Sequence, residues 1–477
     1  MTDRKYHGKE IKTGSRITLM VVALIVLLMV VMAVSQNMEV DAPPGTSEDD
    51  AVPDVVIDVY GEGLIKTNLA VPPFVPGGRL KDGGTLGRQG SMIIGQDLQF
   101  SSYFNVKTAP DLPALPEGGF TEETFDFMPY EQIVELVVVG TYQLESDGTY
   151  TFDLKLFDAV QKAMLTRAIY HGDKRIFRRL MHRFADEVLN ALTGTPGPFE
   201  SRIAFVGDSA GHREIFICDT DGHNMVKLTH NDTINLSPAW SPDASKLVYT
   251  SYILKNPDIF ILPVTGGRPK KIFGGRGLNY GADWSKSSGR IAFASSNNKN
   301  EDQEIYTIKP DGKDLVQVTH DPWSIDVSPS WSPDGKFIAF VSSRYGDKPQ
   351  VLVVPAGGGT AARVSRSGGY NTDPSWGTGP LGDYILYCGR AGGGLDILGV
   401  RLGAGQSVLE TVAIVNRPGA DEAPSISPDG RFVVYTHGFA NNYDIYMSSL
   451  REQKPRKITR LPGKESAPAW SPRITPK

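Results

Sequence analysis

Residues 328–343 read SPSWSPDGKFIAFVSS: a tryptophan, a Ser-Pro-Asp-Gly turn and an apolar, strand-like run. The same phrase recurs on both sides of it. SPAWSPD surrounds Trp240, GADWSKS surrounds Trp284, DPSWGTG surrounds Trp376, APSISPD surrounds Ile426 and APAWSPR surrounds Trp470. Repeats of roughly 40–50 residues are the signature of propellers and solenoids. After most anchors a turn leads into a strand such as KFIAFVSS or RFVVYTHG. A second strand follows (DIFILPV, EIYTIKP, QVLVVPA or DIYMSSL), then a short KKIF, VQVT or RKIT segment. Three or four short strands per repeat make one propeller blade.

The motif residues have structural roles. Proline sets φ at the first central position of the turn, and Asp and Gly supply the rest of its chemistry. Asp243, Asp334 and Asp429 are therefore expected to be turn residues rather than catalytic carboxylates. The tryptophan, or Ile426 in its place, is expected to fill the wedge between neighbouring blades. Six anchors predict six blades. Few residues follow Trp470, whereas Arg202–Asp221 (RIAFVGDSAGHREIFICDTD) supplies strands with no anchor before them. The C-terminal strand is thus expected to complete the first blade and close the ring, which removes free sheet edges.

Upstream of the repeats the pattern changes. VVIDVYG (55–61) reads as a strand, Asn68–Val75 as a second apolar run broken at Pro72-Pro73, and Gly90–Tyr103 as loosely helical. Ile133–Gln143, a turn at 146–148, the alternating 149–157 and Met164–Tyr170 read as strands. The best helix follows, with Asp173 as its expected cap and Phe177, Leu180, Phe184, Val188 and Leu192 on its apolar face. Gly194 and Pro196 end it. Its other face carries Lys174, Arg175, Arg178, Arg179 and Arg183, either a solvated face or one that meets an acidic partner. The fold class expected is an α/β N-terminal domain (53–196) followed by an all-β six-bladed propeller (197–477) closed by the C-terminal strand.

Residues 17–34 (ITLMVVALIVLLMVVMAV) form an uncharged apolar run between a basic and an acidic flank. Basic residues stay on the cytoplasmic side, so export of the remainder is expected. Residues 1–35 read as a cleaved signal, with Ala33-Val34-Ser35 as the site, or as an inner-membrane anchor at 17–34. The acidic, Pro- and Gly-containing 36–52 reads as a linker. The net charge of -5 across 477 residues gives no basic field for nucleic acid. Cys218 and Cys388 lie in apolar runs and are expected as small buried side chains. His212, His223, His230, His320 and His437 are expected at the surface. No nucleophile elbow, zinc spacing or phosphate loop is present. No catalytic residue, cofactor or metal is expected.

SPAWSPD with KLVYTS, SPSWSPDGKFIAFVSS and APAWSP resemble the propeller of the TolB family. DEVLNALTGTPGPFESRIAFV resembles its interdomain junction. VVVGTYQLESDGTYTFDLKLFDA, VVIDVYGEG and AVPPF resemble its N-terminal domain, so the likeness runs from about residue 54 to 477. That resemblance implies a periplasmic docking protein of a Tol-Pal envelope system, with a role in envelope integrity and constriction at division. Its N-terminal segment and domain would contact inner-membrane Tol proteins, with the membrane itself met only through an uncleaved N-terminal segment. Its propeller mouth would seat a Pal-like peptidoglycan-associated lipoprotein. The mouth loops carried over are Asn235 and Leu236; Leu278, Asn279, Tyr280 and Gly281; Ile325, Asp326 and Val327; Asn371, Thr372 and Asp373; Ala420, Asp421 and Glu422; and Glu465 and Ser466. Leu278 stands where the family presents a histidine, and repeat four (WGTGPLGDYILYCG) lacks the Ser-Pro-Asp turn. The competing readings are a hydrolase with its site in the channel and a carbohydrate-binding or adhesion propeller.

Overall fold

The computed structural model describes residues 66–77, 84–116, 120–121, 123–209, 211–346, 348–366, 369–380, 382–391 and 394–474. They belong to one compact unit that spans 50–477. The strand expected at 55–61, the linker and the signal or anchor at 17–34 lie outside the described residues. Among the described residues no helix is long and apolar enough to cross a membrane.

The N-terminal part contains, in chain order, β1 (Thr67–Ala70), β2 (Val75–Pro76), α1 (Thr85–Phe100), β3 (Phe104–Lys107), the single turn α2 (Met128–Glu131), β4 (Leu136–Leu144), β5 (Tyr150–Asp158), β6 (Ala163–Gly172) and α3 (Phe177–Thr193). The sheet runs β3-β1-β4-β5-β6, with β2 also on β4. β1 pairs in parallel with β3 and β4, while β4, β5 and β6 form an antiparallel meander. The side chains of β4 serve both faces by their period of two. Val138 and Tyr142 join the layer of α1 and α3, while Val137 and Val139 meet Phe125, Phe127 and Tyr130. α1 lies so close to the chain after β1 that a Cβ on Gly87 would sit 1.9 Å from the Phe74 carbonyl oxygen. Only glycine fits there.

α3 ends as expected, with Gly194 left-handed at φ 72° and its N–H on the Asn190 carbonyl. Its start differs. Asp173 binds the backbone and guanidinium of Arg175 and leaves the helix without a side-chain cap. Leu192 is exposed; Met181, Ala185 and Leu189 take part in the buried face instead.

The basic face of α3 is also not simply solvated. Arg178 pairs with Asp221, and Arg183 binds Glu200 through Nε at 2.9 Å. The acidic groups it meets lie in this chain. Between these pairs His182, fully buried, places Nδ1 2.5 Å from Asp97 of α1 and Nε2 3.0 Å from Asp221. Burial opposes a charged ring, but the two carboxylates outweigh it, and the His182 pKa is pushed up to about 10. The layer is extended by Phe199, Phe432 and Trp470, so one apolar core runs from α1 and α3 into the sheets beyond.

From Arg202 onward the chain builds successive antiparallel sheets side by side, the architecture of a β-propeller. Asn235–Phe273, Asn279–Gln317 and Asp326–Arg363 each form a four-stranded meander. The strands between Asn371 and Lys457 are linked as one eight-stranded sheet through a single parallel bridge, Leu395 to Ala420. In the last sheet, Lys464–Trp470 pairs antiparallel with Arg202–Ser209, which continues into His212–Asp219 and Val226–Lys227. Repeat four, without its Ser-Pro-Asp turn, extends both strands until Gly379 pairs with Gly382. Cys218 and Cys388 are buried and free, and burial raises both thiols.

Every first strand carries the same irregularity. Ser237, Gly281, Ser328, Asp373, Ala423 and Ala467 have φ between 49° and 66°, and the ladder slips at each. The slip is a β-bulge that re-aims the following residues. Because a β-branched side chain fits the left-handed region far worse than serine does, Ser328→Val is expected to destabilise by at least about 1 kcal/mol in urea titrations. Ser328→Gly is expected to stay within about 0.5 kcal/mol of wild type.

The His182 pair gives a pH signature. A folded pKa above the ordinary 6.5 means a contribution complete below about pH 6.5 and lost as pH rises through about 10. His182→Gln, which leaves the buried Asp97 carboxylate without its cation, is expected to cost about 3–5 kcal/mol near pH 6. The gap in melting temperature from wild type should narrow steadily towards pH 10.

Candidate docking face

Each first strand carries a buried polar side chain at its first or second position and an anchor towards its other end. The polar side chains are Asn235, Asn279, Asp326, Asn371, Asp421 and Glu465, all 0% exposed. They are committed to the sheet interior. Ser251 donates to Asn235 and Ser295 to Asn279, each at 2.7 Å; Arg344 reaches Asp326 at 2.8 Å; Asn371 donates to Gln350 at 3.0 Å. Asp421 meets His437 Nδ1 at 2.7 Å. His437 is therefore buried, not a surface residue, because its sheet has histidine at the register position where three others have Ser251, Ser295 and Ser342. His212, His223, His230 and His320 are exposed.

A second network, absent from the sequence reading, ties the third strand to the end of the fourth. The Thr229 hydroxyl donates to Glu214 and accepts the Ile215 N–H at 2.8 Å. Thr319 serves Glu304 and Ile305 in the same way, and Ser365 serves Gln350 and Val351; Thr459 also accepts the Ile445 N–H but donates to Glu465, on the first strand of the next sheet. Burial pushes Glu304 up to about 7 against the opposing Thr319 hydroxyl. The signal lay in the initial acid or amide of EIFICD, EIYTIKP and QVLVVPA, paired with the Thr or Ser of KLTH, QVTH and RVSR.

At the other end of the strands, all six anchors and the residues before them line one cavity of 170 Å³. The Trp331 N–H donates to Asp283, that of Trp376 to Ser330, that of Ile426 to Ser375 and that of Trp470 to Ser425, at 2.8–3.2 Å. Trp284 also packs on Val248 and Ile259 of the preceding sheet, as a wedge should. The turn aspartates behave as expected. Asp334 accepts from Ser332 at 2.8 Å and from the Lys336 N–H at 3.0 Å, with equivalent contacts at Asp243 and Asp429.

The N-terminal part contacts this anchor end. Arg431 in the turn after Ile426 bonds the Thr195 carbonyl, Trp470 Nε1 donates to Ser201, and Asp221 receives His182. The candidate mouth residues therefore open on the face away from it. There Leu236, Leu278, Tyr280, Gly281, Val327, Thr372, Asp373, Ala420, Glu422 and Ser466 are half-buried and Ile325 is exposed. Burial and each other's proximity raise Glu422 to about 7, and burial raises Asp373.

Sequence reasoning missed what surrounds them. Trp323 is 91% exposed, and Ile253, Leu254, Tyr345 and Phe439 are also exposed. The first four lie in loops beside Ser251, Asp326 and Ser342, and Phe439 ends the strand that carries His437, at the strand ends where the candidate loops open. Their signal was a large apolar residue inside polar loops such as HDPWSID and HGFANNY. Large apolar side chains exposed on a shared face make it a candidate interaction surface.

An α/β domain followed by a propeller with an apolar loop face defines a class of two-part propeller proteins. Residues 189–474 match the family model described as the TolB beta propeller domain, and residues 55–165 match the TolB amino-terminal domain. The chain belongs to the TolB family. The Tol-Pal system protein TolB of Desulfosudis oleivorans is 36% identical over 197 residues, 41% of this chain but only 45% of that relative. The Tol-Pal system protein TolB of Bordetella parapertussis is 28% identical over 424 residues, 87% of this chain and 90% of that one. The crystal structure of TolB from Acinetobacter baumannii shares the fold, with a TM-score of 0.71 and 24% identity over 86% of this chain and 97% of that one.

The double duty of Thr319 is testable. Thr319→Val leaves the Ile305 N–H and Glu304 without their shared partner, and is expected to cost about 1–3 kcal/mol. Chemical denaturation checks it, with exposed Lys336→Gln as the silent control.

Proposed function

We propose that this chain is a periplasmic docking component of a Tol-Pal-type envelope system and carries out no catalytic step. In this reading residues 197–477 form six blades, and Lys464–Trp470 closes the ring by completing the sheet that starts at Arg202. The domain of residues 53–196 and the segment before it address inner-membrane Tol proteins. The loop face of the propeller seats a Pal-like peptidoglycan-associated lipoprotein, so that the two membranes are connected during constriction. Family membership supports the system, and the names of the curated relatives point the same way.

The observation that carries the docking role is the exposure of Ile253, Leu254, Trp323, Ile325, Tyr345 and Phe439 at the strand ends on the side of the candidate mouth. Exposed aromatic anchors above a rigid frame are what interface hot spots are made of. Rigid sheets hold the loops in place, so little order must be created on binding.

Immobilised protein incubated with solubilised envelope is expected to retain a Pal-like lipoprotein. Trp323→Ala combined with Phe439→Ser is expected to weaken that retention tenfold or more while leaving the melting temperature unchanged. Retention on glycan resin without any lipoprotein, or full capture by the double variant, would count against the docking face.

A further inference from the structure

A cavity of 250 Å³ lies between α3 and the sheet that contains Arg202, on the opposite side of the molecule's business from the loop face. Its polar wall is formed by Arg175, Arg179 and Arg202, with Asp219 as the one carboxylate, and Ile176, Ile217 and Val264 form apolar walls. Arg175 is occupied by Asp173. Asp219 accepts from Asn224 at 2.7 Å. The Arg179 Nε is buried and has no hydrogen-bond partner among the described residues. Arg202 has its backbone N–H on Ser471, and among the described residues no carboxylate lies within ion-pair distance of its guanidinium. Burial lowers the Arg202 pKa; Asp219 opposes that shift, and Arg179 adds to it as a like charge.

Asp219 offsets part of this charge, but two guanidinium groups beside one carboxylate leave the cavity net positive, and one of them keeps a buried unsatisfied donor, a cost that a small anion would offset. The other cations of α3 are answered inside the chain, Arg178 by Asp221 and Arg183 by Glu200. Arg179 is not. A planar fork of N–H donors matches the oxygens of phosphate, sulfate or carboxylate. The cavity is large enough for such a group with a few waters and too small for a folded partner.

We propose that Arg179 and Arg202 form a binding site for a small oxyanion, which neutralises the junction between α3 and the first strands of the propeller. The site is separate from the loop face and does not depend on the docking role proposed above. Occupancy screens the arginine pair and so stabilises the contact between the two parts of the chain.

Isothermal titration calorimetry on the intact protein tests this with inorganic phosphate, sulfate and succinate, each at ionic strength matched with chloride. Saturable binding of at least one is expected, at one site per chain. Which of the three binds best tells phosphate-type from carboxylate ligands. Arg202→Gln and Arg179→Gln should each weaken binding tenfold or more, and Lys336→Gln should leave it unchanged. Arg179→Lys, which keeps the charge but lacks the Nε–H, should also weaken it and guards against a variant that fails to fold. No heat beyond chloride for any of the three ions would overturn the site, and so would full affinity in the arginine variants.

Discussion

One backbone constraint governs the propeller: each first strand must bury a polar residue at its start and drive an anchor into the wedge at its end. A regular strand of that length would keep a fixed alternation of side chains. The left-handed residue at Ser237, Gly281, Ser328, Asp373, Ala423 and Ala467 breaks the alternation and allows both ends to be satisfied. The Pro or Ala that follows leads to a Ser, Asp or Ala just before the anchor. Where that residue has a side-chain acceptor, it receives the next anchor's N–H. At Ala239 and Ala469 no such acceptor exists, and Trp240 instead donates its indole N–H to the Ala469 carbonyl. Neighbouring sheets are thus joined by hydrogen bonds as well as by apolar packing.

A second consequence is a division of labour between the two ends of the sheets. The anchor end is taken up by turns, wedges and the contact with the N-terminal part, where His182 lies between Asp97 and Asp221. The loop end has its polar residues satisfied internally and leaves large apolar side chains outside. Buried networks in which each of these side chains has a partner favour a single arrangement. Loops rooted in such a frame hold their shape, which suits the docking role proposed for that face.

Much of this was legible in the sequence because it is periodic. The tryptophan anchors, the Ser-Pro-Asp turns and the pairing partner of Arg202–Ser209 all follow from a repeat with a phase. The helix ended by Gly194 was legible for the same reason, since its apolar residues recur at helical spacing. What escaped is what has no period. Asp173 prefers Arg175 to a capping role, Arg178 and Arg183 find acids far away in sequence, and His437 is buried because Asp421 lies beside it. The exposure of Trp323 and Phe439 was hidden because a loop residue's surroundings are set by neighbouring blades rather than by its own segment.

The central claim is that a partner seats on the loop face and nowhere near the N-terminal contact. Hydrogen–deuterium exchange with and without the periplasmic part of a Pal-like lipoprotein measures this directly. The account predicts slower exchange in residues 252–257, 320–327, 343–346 and 439–442, with no change in α1 or α3. Protection confined to the helices, or none in those four loops at saturating partner, would contradict it.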